Sequence, residues 1–342
     1  MEYRLLGASG LVVSRLCLGT MTFCAETDSS GSFDQLDAFV EAGGTFIDTA
    51  DVYSRGVSEE VIGAWLAERP GARDELVLAT KARFPMGPGA NHVGLSRKHL
   101  AEALDASLRR LGVDAIDLYQ LHSFDPLTPL DETLRFLDDA VASGKVHYWG
   151  LSNFLGHHIA TIGERTRSRG WAPPVSLQPQ YNLLTRHIEL EVVPAALGYG
   201  LGMMPWSPLA GGWLTGKYTR ESRPAGATRL GENPARGMEG YDRRNTEATH
   251  RVLDEVRAVA EASGLTMAQV ALAWVADRPA VTSPILGART TAQLAESLTA
   301  ADVHLDAAAS ARLDAVSAPA LPDYPYGELG IEQRSRAVTP RR

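Results

Sequence analysis

Three short apolar runs of this chain each end on an ionisable side chain: Thr45–Asp48, Leu76–Lys81 and Ile116–His122. Tyr53 follows five positions after Asp48. Buried strands of a parallel sheet read as short, mostly apolar runs, so an Asp, a Lys and a His at their ends are out of character. In a parallel barrel the C-terminal strand ends are where chemistry is built. An acid, a base, a phenol and an imidazole converging there would form a proton-transfer site. A free phenol, with a pKa near 10, is a poor acid at neutral pH. A neighbouring ammonium favours the phenolate and lowers that pKa. Asp48 would keep Lys81 charged and oriented, His122 would offer a neutral donor, and Tyr53 would protonate a carbonyl oxygen. Taken singly, each group has an ordinary reading: a cap, a snorkelling lysine, a core histidine, loop packing. Four together at strand ends favour the chemistry.

The elements that must position these groups recur along the chain. Candidate strands are Leu16–Gly19, Thr45–Asp48, Leu76–Lys81, Ala115–His122, Val146–Leu151, Val175–Gln178, Gly202–Ser207 and Thr282–Gly287. Segments with helical periodicity lie between them, at Ser32–Ala42, Ser58–Ala67, Arg97–Leu111, Leu130–Ala142 and His187–Ala196. Most strand starts are separated by roughly 30 residues, the length of one βα unit. Eight such units predict an α/β fold of the (β/α)8 TIM-barrel type. A doubly wound sheet usually carries a Gly-rich turn after its first strand, and no G-x-G-x-x-G occurs here. Tyr3–Leu6 and Leu11–Ser14 flank Gly7–Gly10 and predict an N-terminal β-hairpin. Between the seventh and eighth strands, Ser207–Asn245 is a long Gly-, Pro- and Arg-rich loop, and Thr246–Ala262 an extra helix. The division expected is one barrel domain over 1–317 and an irregular tail over 318–342, after a last helix near Asp306–Val316.

At 342 residues the chain can hold one large α/β barrel. A formal net charge of −8 without a basic block argues against nucleic acid as a partner. Cys17 and Cys24 make no disulfide framework and have no metal-site spacing, which suits a reducing cytoplasm. No metal is expected. The uncharged stretch Val192–Gly216 is broken by Pro194, Pro205, Pro208 and several glycines, so no membrane span is expected. The N-terminus has no apolar signal-like run.

The sequence resembles the aldo-keto reductases. The resemblance rests on Gly43–Tyr53, on Lys81 after an apolar strand and on Asp117–His122. It continues through Gly144–Val146, Gly150–Asn153, Trp206–Gly212 and Gly287–Arg289, with Gln293 and Glu296. It implies a catalytic tetrad of Asp48, Tyr53, Lys81 and His122, and NADPH/NADP+ lying across the barrel mouth. By resemblance, Gly19, Thr20, Met21 and Asp48 line the cofactor, Ser152, Asn153 and Gln178 hold the carboxamide, and Trp206 stacks on the nicotinamide. Ser207, Pro208, Leu209, Gly211 and Lys217 would meet the pyrophosphate, where Gly residues let backbone N–H groups approach. Gly287, Arg289, Gln293, Glu296 and Ser297 would hold the adenosine end, with Arg289 neutralising a 2′-phosphate and so favouring NADPH. Ser297 stands where asparagine is usual. The wording Pro205–Ala210 also looks like the potassium-channel β subunits, but those carry asparagine at the position of His122, which favours a working reductase.

Position along the chain nominates Phe23, Phe84, Asn91, Phe124 and Trp213 as substrate-pocket residues, an apolar and aromatic set suited to an aldehyde or ketone with a hydrophobic body. The expected activity is NADPH-dependent reduction of a carbonyl to an alcohol. The rivals are a cofactor-binding regulatory subunit of a larger assembly and a barrel isomerase or lyase using the same acid–base set. The substrate and the oligomeric state are left open.

Overall fold

The computed structural model describes residues 1–327 except 227, 234 and 236. Its sheet is built from eight short parallel strands: β3 (Cys17–Gly19), β4 (Phe46–Asp48), β5 (Val77–Ala82), β6 (Ile116–Leu121), β7 (Val146–Ser152), β8 (Ser176–Gln178), β9 (Gly202–Met203) and β10 (Ile285–Leu286). They follow one another in sequence order, and β10 returns to pair with β3. The remaining seam is bridged by backbone hydrogen bonds, Thr282 N to Met203 O at 2.8 Å and Ile285 N to Pro205 O at 2.9 Å. The sheet therefore curls back on itself. Ahead of it, the expected hairpin forms from β1 (Tyr3–Leu5) and β2 (Val12–Ser14) and seals the N-terminal end. Its turn approaches closely: Ala8 N donates to Gly200 O at 2.7 Å, and a Cβ on Gly7 (φ +59°) would lie 2.4 Å from that same oxygen. Only glycine suits that position.

Strand parity decides which residues face the barrel interior. Phe46, Val77, Ala79 and Leu118 pack there with Leu6, Val13, Cys17, Met204 and Ile285. Their strand neighbours Ile47, Leu78, Tyr119 and Leu121 face outward into the larger core beneath the helices. Side chains alternate along a strand, so Asp48, Lys81 and Gln120 continue the interior rows toward the C-terminal rim.

Around the sheet run α1 (Ser29–Glu41), α2 (Val57–Ala67), α3 (Arg97–Leu111), α4 (Leu130–Ala142), α5 (Gly156–Arg169), α6 (Val192–Gly198), α7 (Glu247–Ser263), α8 (Met267–Ala276), α9 (Thr291–Leu298) and α10 (Ala307–Val316). Helix α7 is the extra helix expected after the long loop, capped by Thr246, whose hydroxyl accepts from Thr249 N. Two sequence expectations are corrected. His187–Ala196 is not one helix: a 3-10 turn at His187–Glu189 stops before α6, because Pro194 cannot sit inside a helix that includes Leu190. Gly202–Ser207 supplies only two residues of strand, since Pro205 and Pro208 cannot donate to a ladder. Helix α8 escapes a periodicity search because Ala268 and every residue from Val270 to Ala276 are buried, leaving no polar face to define a period.

Of the tail expected over 318–342, residues 328–342 lie outside the described residues, and Asp323–Tyr326 forms one short helical turn. No single described helix is long and apolar enough to cross a membrane; α7 and α8 pass such a test only as a pair bent by 99°. Among the described residues no group of three or more His, Cys, Asp or Glu is placed to hold a metal ion.

Candidate active site at the barrel mouth

The proposed tetrad comes together. Lys81 Nζ donates to Asp48 Oδ2 at 2.6 Å, to the Thr49 carbonyl at 2.8 Å and to the Tyr53 hydroxyl at 3.1 Å. Asp48 and Lys81 are buried. The second oxygen of Asp48 accepts from Gln120 Nε2 and Gln178 Nε2, each at 2.9 Å. Gln120 has no place among the residues named from the sequence, although it sits two positions before His122 on the same strand face. Parity was the signal that would have found it.

Tyr53 owes its position to a strained turn. It lies five residues past the end of β4, and Ser54 (φ 48°) and Arg55 (φ 56°) are both left-handed before Gly56 (φ 97°) leads into α2. Ser54 Oγ holds the turn by donating to Phe23 O at 2.8 Å. Asn153, Ser207 and Ala210, at the same rim, also have positive φ. Such conformations cost about 1–3 kcal/mol each and gather where function needs them.

The electrostatics correct one expectation. Burial raises the Tyr53 pKa, and the Lys81 charge opposes that rise without reversing it. The resting phenol is thus firmly protonated. Burial also works against the Lys81 charge, but the Asp48 carboxylate and the Tyr53 phenol outweigh it and hold the ammonium up at about 12. Burial, then the Lys81 and Arg83 charges, pushes His122 down to about 2. His122 is neutral in the physiological range. Its ring stands edge-on to Tyr53, with centroids 5.8 Å apart, and to Phe84 at 4.7 Å.

Further residues line the rim. Ser152 Oγ donates to Gln178 O at 3.0 Å, and Asn153 Nδ2 donates to His122 O at 3.2 Å. Half-buried Trp206 donates from Nε1 to Asn153 Oδ1 at 3.0 Å, which fixes the indole beside these polar groups. Ser207 Oγ accepts from Gly211 N at 3.2 Å. Gly212 (φ +99°) holds a backbone conformation that residues with side chains rarely adopt, and the flexible end of Lys217 lies over it, with Nζ 2.6 Å from where a Cβ would stand. Gly19 and Thr20 are buried at the end of β3, while Met21 is exposed beside them; Pro208 is buried and Leu209 half-buried. Past β10, Gly287, Gln293 and Glu296 are exposed and Ser297 is buried. Arg289 is engaged by two carboxylates, Glu232 at 2.5 Å from the long loop and Glu26 at 3.2 Å from the segment after β3.

The substrate-pocket set divides. Phe84 and Phe124 stand at the mouth, Phe84 against His122 and Phe124 stacked on His158 with centroids 3.9 Å apart. His158, on the first turn of α5, was not read from the sequence. Asn91 is exposed in the loop after β5. Contrary to expectation, Phe23 and Trp213 are fully buried and present no surface to an open pocket. Phe23 packs under the helices because the chain turns back at Thr20, whose carbonyl accepts from Phe23 N at 3.0 Å. Trp213 stacks on Tyr241 and donates to Glu239 O at 3.0 Å, which makes it the core of the long loop.

Comparison with known proteins agrees with this geometry. Residues 15–318 match the model of the Aldo/keto reductase family. An uncharacterized oxidoreductase, YrpG, of Bacillus subtilis is 40% identical over 315 residues, covering 90% of this chain and 93% of that protein. A probable voltage-gated potassium channel subunit beta of rice is 37% identical, covering 89% and 92%. The versiconal hemiacetal acetate reductase of Aspergillus parasiticus is 35% identical, covering 89% and 94%.

Proposed function

The chain belongs to the aldo/keto reductase family, and we propose that it is an NADPH-dependent reductase of aldehydes or ketones in which Tyr53 is the general acid. The observation that carries the reading is the buried relay in which Lys81 Nζ lies 2.6 Å from Asp48 and 3.1 Å from the Tyr53 hydroxyl, beside a neutral histidine. Isomerases and lyases need acids and bases too, but the surrounding residues also suit a dinucleotide. Ser152, Asn153 and Gln178 offer amide and hydroxyl groups to a carboxamide, and Trp206 is held half-buried beside them. Lys217 folded over the bare backbone of Gly212 makes a cradle fit for a pyrophosphate. Arg289 with Gln293 and Glu296 would take the adenosine end, the guanidinium exchanging a carboxylate partner for the 2′-phosphate.

The nicotinamide, when bound, supplies the hydride that the carbonyl carbon accepts. The protein supplies the proton and its placement. His122 donates a hydrogen bond to the carbonyl oxygen, and Tyr53 passes its hydroxyl proton to that oxygen as negative charge develops there. Burial keeps the phenol protonated until that moment. The Lys81 ammonium then stabilises the phenolate left behind, and Asp48 holds the ammonium in place. Phe84 and Phe124 form apolar walls that suit a hydrophobic or ring-shaped body.

A panel of aldehydes and ketones assayed by loss of NADPH absorbance tests the reading. Oxidation of NADPH that requires the carbonyl supports it. If no carbonyl is turned over while NADPH still binds, the name of the rice relative becomes the better guide and a regulatory subunit the better reading.

A further inference from the structure

We infer that this site takes carbonyl compounds carrying an anionic group, such as a carboxylate on an aromatic body, and that Arg83 is the residue that binds the anion; the inference rests on the reductase reading above. Arg83 lies two positions past Lys81, on the interior parity of β5 just beyond its end at Ala82. Its guanidinium carbon lies 5.3 Å from the centre of the Phe84 ring, and that ring is 4.7 Å from His122. The guanidinium is near enough to His122 for its charge to act on the imidazole. It is thus a positive charge on the wall of the pocket that holds the reacting carbonyl.

That charge is also poorly engaged. Two other arginines near the mouth, Arg289 and Arg244, are paired, the first with Glu26 and Glu232 and the second with Glu239. Arg83 forms no ion pair among the described residues. Its Nε is buried without a hydrogen-bond partner, and its hydrogen bond from Nη2 to the Phe124 carbonyl is long, at 3.5 Å. The nearby acid Asp125 is satisfied elsewhere, accepting from Leu95 N at 2.8 Å, Leu127 N at 3.0 Å and Thr128 Oγ1 at 2.6 Å. A half-buried guanidinium with open donors is a fork shaped for a carboxylate or phosphate. The ammonium of Lys81 does not compete for the anion, because Asp48 already neutralises it. In a chain of net charge −8, a local positive centre at the mouth would also draw anionic substrates inward.

The test compares 4-carboxybenzaldehyde with 4-methylbenzaldehyde, which share a ring and a reacting group and differ in charge. In the wild type the ratio of kcat/KM, carboxylated over methylated, is expected to be roughly tenfold or more. In Arg83→Met that ratio should fall by roughly tenfold to hundredfold, mainly through KM of the carboxylated substrate, as expected for one charge-assisted contact. Arg83→Lys should lie between, and Arg83→Gln replaces the Met variant if the latter misfolds. A wild-type ratio of one or less, or a ratio unmoved by the substitution, overturns the inference. Calorimetry of benzoate binding gives a readout that needs no turnover. Binding weakened tenfold or more in the variant supports the role of Arg83. Absent or unaltered binding refutes it, even if the reductase reading itself has failed.

Discussion

Lys81 and Tyr53 meet with Nζ 3.1 Å from the phenol oxygen, one at the end of β5 and the other five residues past the end of β4, where a left-handed turn at Ser54 and Arg55 follows the tyrosine. The contact gives burial and charge opposite tasks. Burial keeps the phenol protonated at rest, and the ammonium stabilises the anion that forms when the proton leaves.

Tyr53→Phe should abolish carbonyl reduction while leaving NADPH binding nearly intact. Loss of general acid catalysis costs about 10²–10⁴ in rate. Near-normal turnover in the Phe variant would sink the mechanism. Cofactor affinity, measured by fluorescence titration, separates a chemical defect from a folding one.

Lys81→Met should be at least as damaging, with a distinct pH signature. The Lys81 charge lowers the Tyr53 pKa and the Asp48 charge raises it, so removing the ammonium drives the phenol further up. The alkaline limb of any residual reduction should therefore move to higher pH. An unmoved limb would show that Lys81 serves only the fold. Because the variant leaves a buried carboxylate unpaired, thermal melting must be measured alongside, with a loss of about 3–5 kcal/mol anticipated.

NADPH should bind more tightly than NADH, and Arg289→Ala should erase much of that preference, a charge-assisted contact being worth roughly 1.5–3 kcal/mol, or tenfold and more in affinity. The carboxylates on Arg289 add a second arm. Glu232, 2.5 Å from the guanidinium, must yield to a 2′-phosphate, so Glu232→Gln should tighten NADPH and spare NADH. Equal wild-type affinity for both cofactors would show that Arg289 is misassigned.

The long loop should close over bound cofactor, but only in part. Trp213, Glu239 and Arg244 anchor its two ends, with Glu239 2.6 Å from Arg244 and bonded to Gln180. The stretch Lys217–Gly226 between them is mostly exposed and has no regular structure. Hydrogen exchange there should slow markedly with NADP(H), a lid movement of the kind that often limits turnover. Identical protection with and without cofactor would leave a rigid loop.

A last prediction concerns Asp51, two residues before Tyr53. Its carboxyl is fully buried, and burial, then the Glu59 charge, raises its pKa to about 7. A carboxyl with a raised folded pKa favours the protonated fold. Its stabilisation is complete below about pH 4 and is lost as pH rises through about 7. Asp51→Asn should flatten this dependence between about pH 4 and 7, where the wild type loses up to about 4 kcal/mol. A melting curve whose pH slope is the same in both proteins would count against it.

The sequence by itself determined the barrel, because apolar runs of strand length alternating with helical periods are local signals. It also placed Asp48, Lys81 and His122 at strand ends, where parity sends them to one rim. Local signals cannot report contacts between distant segments. Tertiary structure alone brought Gln120 and Gln178, from two different strands, onto one oxygen of Asp48. It put Phe23 and Trp213 into packing instead of the pocket, since an aromatic after a strand reads the same whether the chain beyond it folds inward or outward. It paired Arg289 with acids from two other loops and left Arg83 unpaired. It also set the sign of the Tyr53 shift, because desolvation depends on everything packed around the phenol and Lys81 is only one of those neighbours.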